Sequence, residues 1–436
     1  MRMAIDVRQQ AEHTQARMAP HESRDVHRTT CCVVGGGPAG VILALLLARQ
    51  GIPTVLLESH ADFDRDFRGD TIHPAIMQIL DEIGLANRLL ETVPHTKVHR
   101  VVPPLPGGTP PSIDFHVLGG KFPFMTFMRQ AAFLEFLAAE ASRYPAFTLV
   151  TGANVRELVE EADVVRGVRY QAADGWHEVR ALLTVGADGR FSRLRQLSGL
   201  PAPVKTSPPI DILWFRLSKQ AGDPEGIMGG FRMGRGLIML ERTDHWQLGH
   251  VLPKGGYQQL HAAGIEAFRN TIAEIMPWLR GRVDELRDWK QCSLLAVESD
   301  RLPRWYRSGL LLIGDAAHVM SPIGGNGINY AVQDAAAAAN ILSGPLKRGR
   351  MSLRDLAAVQ RRRNWPTRVT QAIVNQIQDR VLGPAVHSTT DMNAPLPPGA
   401  AFLLRVPFLQ RLPLAWIAYG VWPVHLTSTV RAGARA

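Results

Sequence analysis

Cysteine is scarce and poorly spaced for metal work: Cys31, Cys32 and Cys292 are the three in the chain. Two adjacent thiols and one remote thiol make neither a zinc pattern nor a disulfide framework, so no metal is expected and a reducing, cytoplasmic setting is. Apolar runs of membrane length are missing as well. The most apolar stretch, Phe402 to Leu426, is broken by Arg405, Pro407, Arg411 and Pro413, whereas a span needs about 20 unbroken apolar residues. It reads as short packed helices, with a lipid- or partner-facing surface as the alternative. No long lysine or arginine block accompanies the net charge of +10, and no nucleic-acid module is visible. A basic surface that steers an anionic substrate or a phosphorylated cofactor is one reading, and a merely solvated face is the other. Residues 1–29 mix Arg2, Arg8, Arg17, Arg24 and Arg28 with Asp6, Glu12, Glu22 and Asp25 and hold no apolar core of signal-peptide length. They read as a disordered tail.

What the chain does have is glycine in two informative places. In the first, the apolar strand Cys31 to Val34 runs into GGGPAG, Gly35 to Gly40, and an apolar helix from Val41 to Gln50 follows. Strand, turn and helix in that order are the setting a dinucleotide fingerprint requires. Gly35 permits the tight turn, Gly37 lets backbone approach a pyrophosphate, and Gly40 lets the helix pack closely on the sheet. Pro38 and Ala39 complete the cradle, and the helix N-terminus favours phosphate through its unpaired N–H groups and its dipole. A second strand, Thr54 to Glu58, ends on an acid at the distance expected for a ribose ligand, with Ser59 beside it. This motif by itself does not separate NAD from FAD.

The second place is GDAAHVMSPIGGNGINYAVQDA, Gly314 to Ala335. The buried strand Leu310 to Asp315 leads into a loop holding Pro322, Gly324, Gly325 and Gly327, and a helix is expected to begin near Asn329. That helix N-terminus would face something flat and partly negative, such as the pyrimidine edge of a flavin. Between the two motifs, Ile210 to Leu252 reads as mostly β, a helix from Gly264 to Leu279 closes the region, and the remainder is helical and rich in alanine and arginine.

With these residues in order, the chain resembles the class A FAD-dependent monooxygenases of the para-hydroxybenzoate hydroxylase type. GGGPAG with Glu58 matches that family's fingerprint, and GADGRFSRLR, Gly186 to Arg195, matches its Asp–Gly motif through Asp188. The segment from Gly314 matches its Gly–Asp motif. The resemblance implies that Asp315 bonds the FAD ribitol and that Pro322, Gly325, Gly327, Ile328 and Asn329 line the isoalloxazine ring. Arg68 in FRGD and Gln130 in MRQAAF fall where the family places further flavin contacts. Asn326 stands where many members carry glutamine or glutamate.

The implied fold is α/β. A Rossmann-like FAD-binding domain of the glutathione reductase type (30–75, 125–200, 295–345) is interleaved with a β-sheet-rich substrate domain (76–124, 201–294), and C-terminal helices (346–436) follow. The implied function is hydroxylation of an aromatic or polyketide-like molecule, with FAD reduced by NADH or NADPH and oxygen passed on through a C4a-hydroperoxyflavin. Because the cofactor does the difficult chemistry, a catalytic triad is not needed. No catalytic base is assigned; His73, His245 and His250 are candidates by type, and His318 is expected to hold the loop. Trp214, Phe215, Phe231, Met233, Met239 and Trp246 are the side chains available to a substrate pocket. The alternatives are a flavin reductase or halogenase of the same fold, or a flavin-binding protein without turnover.

Overall fold

The computed structural model describes residues 25–64, 71–102, 113–388 and 407–433. Arg68, the tail to residue 24, the proline-rich loop 103–112 and the start of the C-terminal apolar stretch lie outside the described residues.

Strand Val26–Val34 becomes fully buried from Cys31 onward, as expected of a parallel strand covered on both faces. It pairs in parallel with Thr54–Leu57 on one side and with the long strand Gly175–Gly186 on the other. Phe147–Val150 and Leu310–Leu312 extend the parallel sheet at its two ends. The long strand serves two layers. Its first half pairs antiparallel with Val164–Ala172, and its second half pairs in parallel with Leu310–Leu312.

The fingerprint helix Pro38–Ala48 is apolar all round, and Ala39 to Ala48 are all buried. A helix with no polar face must be covered on every side. Here it is enclosed in the core of the parallel sheet, together with the alanine run of helix Asn326–Lys347. Helices Pro74–Asp81 and Ala86–Thr92 also place Ile76, Ile79, Leu80 and Leu89 in this core. By packing, residues up to about 93 side with the nucleotide-binding layer, although the sequence assigns 76 onward to the substrate domain.

A second, seven-stranded sheet contains Ile210–Ser218, Ile227–Arg232, Arg235–Glu241 and His245–Pro253. Its strands alternate. Leu213, Phe215, Leu217, Met239 and Trp246 share a core with Phe268 and Ile272 of helix Ile265–Ile275. Ile212, Trp214, Phe231 and Ile238 share the opposite face with Ile323 of the second glycine-rich loop.

Toward the C-terminus, helix Pro407–Tyr419 packs Leu414 and Ala418 against Phe115, Met125 and Phe127. Among the described residues, no helix is long and apolar enough to cross a membrane.

Candidate functional site

Three hydrogen bonds bring the motifs together at the carboxyl ends of the parallel strands. Gly35 N–H donates to Leu57 O (2.7 Å), Ala187 N–H to Val34 O (2.8 Å) and Ile313 N–H to Gly186 O (2.9 Å). The fingerprint, the Asp–Gly segment and the Gly–Asp segment therefore begin side by side, at the edge where open α/β sheets hold ligands.

The glycines divide their work. Gly35 has φ +105°, and a Cβ there would lie 2.4 Å from Ala187 O. Gly40 has Gly35 O 1.9 Å from its own Cβ position, so the helix approaches the turn as only glycine allows. Gly37 is different: the nearest described protein atom to its Cβ position is 4.0 Å away, which leaves the backbone open to a ligand. Pro38 stands in the helix's first turn, where its fixed φ is preorganised and its missing N–H costs nothing. Ala39 must be small, because the Cβ position of Gly314 is 3.2 Å from its methyl and 3.3 Å from that of Ala331.

Glu58 is buried at the end of its strand. Oε2 accepts from Gly36 N–H (2.7 Å) and Oε1 from His60 N–H (2.9 Å), with the hydroxyl of exposed Ser59 3.1 Å away. The His60 ring also approaches, with Nδ1 2.9 Å from Oε1, so the carboxylate is held in place by the turn around it. Asp188 is spoken for locally: it accepts from Ser192 Oγ (2.5 Å) and Leu194 N–H (3.0 Å), and burial holds its carboxyl above the usual range. Its role is to fold the loop that backs Gly35.

Asp315 is the contrast. It is half-buried, burial raises its carboxyl, and it accepts no hydrogen bond from any group among the described residues. Its carboxylate is left without a protein donor among the described residues and remains accessible, so it is open to the hydroxyls of a ligand. Asp315→Ala is expected to weaken FAD binding by about 1.5 to 3 kcal/mol, roughly 10- to 150-fold in Kd. Titration of the apoprotein with FAD by flavin fluorescence reads this directly, and wild-type affinity would remove Asp315 from the site.

The second loop ends differently from the sequence expectation. The helix starts at Asn326, not near Asn329, because Gly324 (φ +78°) and Gly325 (φ +65°) turn the chain in left-handed geometry just before it. Asn326 is buried with both ends of its carboxamide unpartnered among the described residues, and Asn329 leaves Nδ2 likewise. Gly327 has nothing within 4 Å of its Cβ position, and Pro322 and Ile328 flank the turn half-buried. The first turn holds no acidic side chain, so its N–H groups and dipole remain for an outside acceptor. Gln130 opens helix Gln130–Ala141, half-buried.

Two supports were not legible beforehand. Asp334, fully buried on the long helix, accepts from Gly314 N–H (3.0 Å) and from Arg363 Nε (2.8 Å) and lies 2.6 Å from His318 Nε2. Burial would push this carboxyl up, but His318 and Arg363 outweigh it and hold it low. The only sequence signal was one acid in an alanine-rich helix and one arginine run. His73 lies buried between two carbonyls, Gly325 O at 3.0 Å from Nε2 and Ile417 O at 2.8 Å from Nδ1. Of the other histidines, His250 faces Phe268 under the helix-covered side of the second sheet, and His245 pairs with Asp244 at a hairpin. Phe215, Met239 and Trp246 are likewise on the helix-covered side, whereas Trp214 and Phe231 lie on the opposite face, in a cluster that also holds Leu382, Val386 and Ile323. Met233 sits exposed in a turn. Arg195 is engaged by Asp300 and by Arg190 O.

These features define a class: the chain is an FAD-dependent monooxygenase. It belongs to the FAD binding domain family, whose model matches residues 28–373. It is 37% identical over 405 residues to 6-methylpretetramide 4-monooxygenase of Streptomyces rimosus, covering 92% of this chain and 94% of that one. It is 28% identical over 320 residues to digeranylgeranylglycerophospholipid reductase 1 of Methanopyrus kandleri, covering 69% and 76%. Among solved structures, PqsL of P. aeruginosa in complex with 2-aminobenzoylacetate superposes with a TM-score of 0.70 at 20% identity, covering 83% of this chain and 97% of that one.

Proposed function

We propose that the strand-end site holds FAD along its length and that the second sheet roofs a chamber for a fused-ring aromatic polyketide, which the enzyme hydroxylates. Gly35, Gly37, Pro38, Ala39 and Gly40 take the pyrophosphate, Glu58 and Ser59 the ribose, Asp315 and Gln130 the ribitol. Pro322, Gly325, Gly327, Ile328 and Asn329 border the isoalloxazine, and the dipole of the long helix steadies negative charge at its pyrimidine edge. Asp188 shapes the neighbouring turn. When bound, FAD supplies the redox chemistry, accepting electrons from NADH or NADPH and activating dioxygen.

The chain's own part is positioning and exclusion of water. Trp214 lies against Gly249, whose Cβ position is 2.9 Å from the indole, and Phe231 lies against Gly236, with its ring 2.4 Å from that Cβ position. Glycine beneath each ring lets both lie flat on the strand, which suits a wide planar molecule. The single observation that carries the reading is the unpartnered Asp315 beside a glycine cradle open to a ligand. The 6-methylpretetramide specificity in the name of the S. rimosus relative supports the substrate class.

The test is turnover of 6-methylpretetramide with NADH or NADPH under isotopically labelled dioxygen. Label in a hydroxylated product supports the reading. Anaerobic product formation would replace it with a reductase, the activity in the name of the M. kandleri relative.

A further inference from the structure

Away from the strand-end site, the C-terminal third carries a surface that the flavin chemistry does not use. From residue 353 to 433 the sequence holds nine arginines, no lysine and three aspartates. Two of the arginines are neutralised by other parts of the chain, Arg363 by Asp334 and Arg431 by Glu82. Arg361, Arg368 and Arg411 are exposed.

Large apolar side chains stand among them. Trp365 is 54% exposed and Trp422 56%, with ring centroids 6.3 Å apart. The Arg362 guanidinium stacks 4.1 Å over Trp422 and donates to Trp422 O and Pro423 O. Trp422 itself has φ +56°, a left-handed conformation that bulky residues rarely adopt. Strain of that kind persists only where the surroundings enforce it. Its effect is to present the indole outward.

Further apolar side chains are exposed nearby in the chain. Trp416 donates to Thr370 Oγ1 (3.2 Å) while Trp422 meets Trp365, so the chain from 416 to 422 runs antiparallel to helix Leu353–Ile377. Leu412, one turn before Trp416, is 66% exposed, and Ile373 on helix Leu353–Ile377 is 38% exposed.

We propose that this arginine-bordered apolar stripe is a docking face for an anionic lipid bilayer. Indole rings favour the headgroup level, where one part of the ring is apolar and the other wet. Arginine contributes attraction to anionic headgroups and lays its stem along apolar surface. A second copy of the chain is a poor occupant, since the same face would oppose arginine to arginine. The contact is peripheral, because no described helix is able to span a membrane.

The test uses the full-length, FAD-loaded protein in sedimentation with vesicles of phosphatidylcholine alone or mixed with phosphatidylglycerol. Binding is expected to the anionic vesicles only, with a blue shift of tryptophan fluorescence and weakening in high salt. Arg361→Gln with Arg368→Gln is expected to lower affinity by about fivefold per charge. Trp365→Ala with Trp422→Ala is expected to weaken binding while FAD occupancy stays intact. Failure to bind anionic vesicles at low salt overturns the proposal. So does wild-type binding by the double tryptophan variant, which would assign the effect to net charge alone. Retention on an acidic polypeptide column without vesicle binding would assign the face to a protein partner instead.

Discussion

Replacing Asp334 with alanine is expected to destabilise the protein by about 3 to 5 kcal/mol, the usual cost of stranding a buried charge. Arg363 is fully buried, and its closest ion-pair contact is Asp334 Oδ1 at 2.8 Å. Without that carboxylate, the guanidinium keeps the Gln333 carboxamide at 3.4 Å and the face of Tyr330, neither of which carries a formal negative charge. His318 loses its 2.6 Å partner and Gly314 N–H its acceptor at the same time. The Gly–Asp turn is thus released along with the helix that follows it. Urea unfolding of the purified variant measures the loss through the midpoint and slope. Asp334→Asn, which keeps an acceptor for Gly314, is expected to fall between the two. A loss below about 1 kcal/mol, the range of a solvated surface pair, would show that the triad is not holding the loop.

Acid is expected to weaken the fold through two buried histidines. Burial lowers both His73 and His250 from 6.5 to about 4. Between those values the unfolded chain binds more protons than the folded one, so stability rises with pH. The contribution is complete above 6.5 and is lost as pH falls toward 4. Each histidine is expected to cost about 2 kcal/mol on going from about pH 7.5 to about pH 5, since one pKa unit is worth about 1.4 kcal/mol. Asp188 and Asp315, raised by burial, act in the opposite sense. Comparison with a His73→Gln, His250→Gln variant isolates the histidines. Urea unfolding at the two pH values is the measurement, and an equal pH dependence in both proteins would contradict the assignment. His73 has a further consequence: as a neutral imidazole it donates to only one of the carbonyls of Gly325 and Ile417 that flank it.

The parts legible in the sequence are those governed by short-range geometry. The fingerprint could be read because strand, turn and helix are neighbours in the chain and because Gly35 and Gly40 occupy positions where a Cβ has no room. The Gly–Asp segment could be read for the same reason, apart from its helix start. That boundary depends on the left-handed turns at Gly324 and Gly325, which a residue pattern marks as a loop without fixing where the helix begins.

The two faces of the second sheet could not be sorted in advance. Alternation along Ile210–Ser218 separates Trp214 from Phe215, but it does not say which face meets the loop. That was settled by packing: helix Ile265–Ile275 covers Phe215, Met239 and Trp246, while Trp214 and Phe231 pack on the cluster that holds Leu382, Val386 and Ile323. Packing likewise put helices Pro74–Asp81 and Ala86–Thr92 in the nucleotide-binding core, since their apolar stripes suit either layer.

The sequence by itself determined that this chain binds a dinucleotide and belongs with the flavin monooxygenases, because those features rest on glycine sterics and on order along the chain. Only the tertiary structure decided which acid is free to meet a ligand and which is consumed. Asp188, Asp315 and Asp334 are chemically identical in the sequence. Asp188 is bonded to its own loop and Asp334 to a histidine and an arginine, while Asp315 accepts nothing from the described residues. The difference lies in which donors the fold brings within about 3 Å, a distance that sequence separation does not encode.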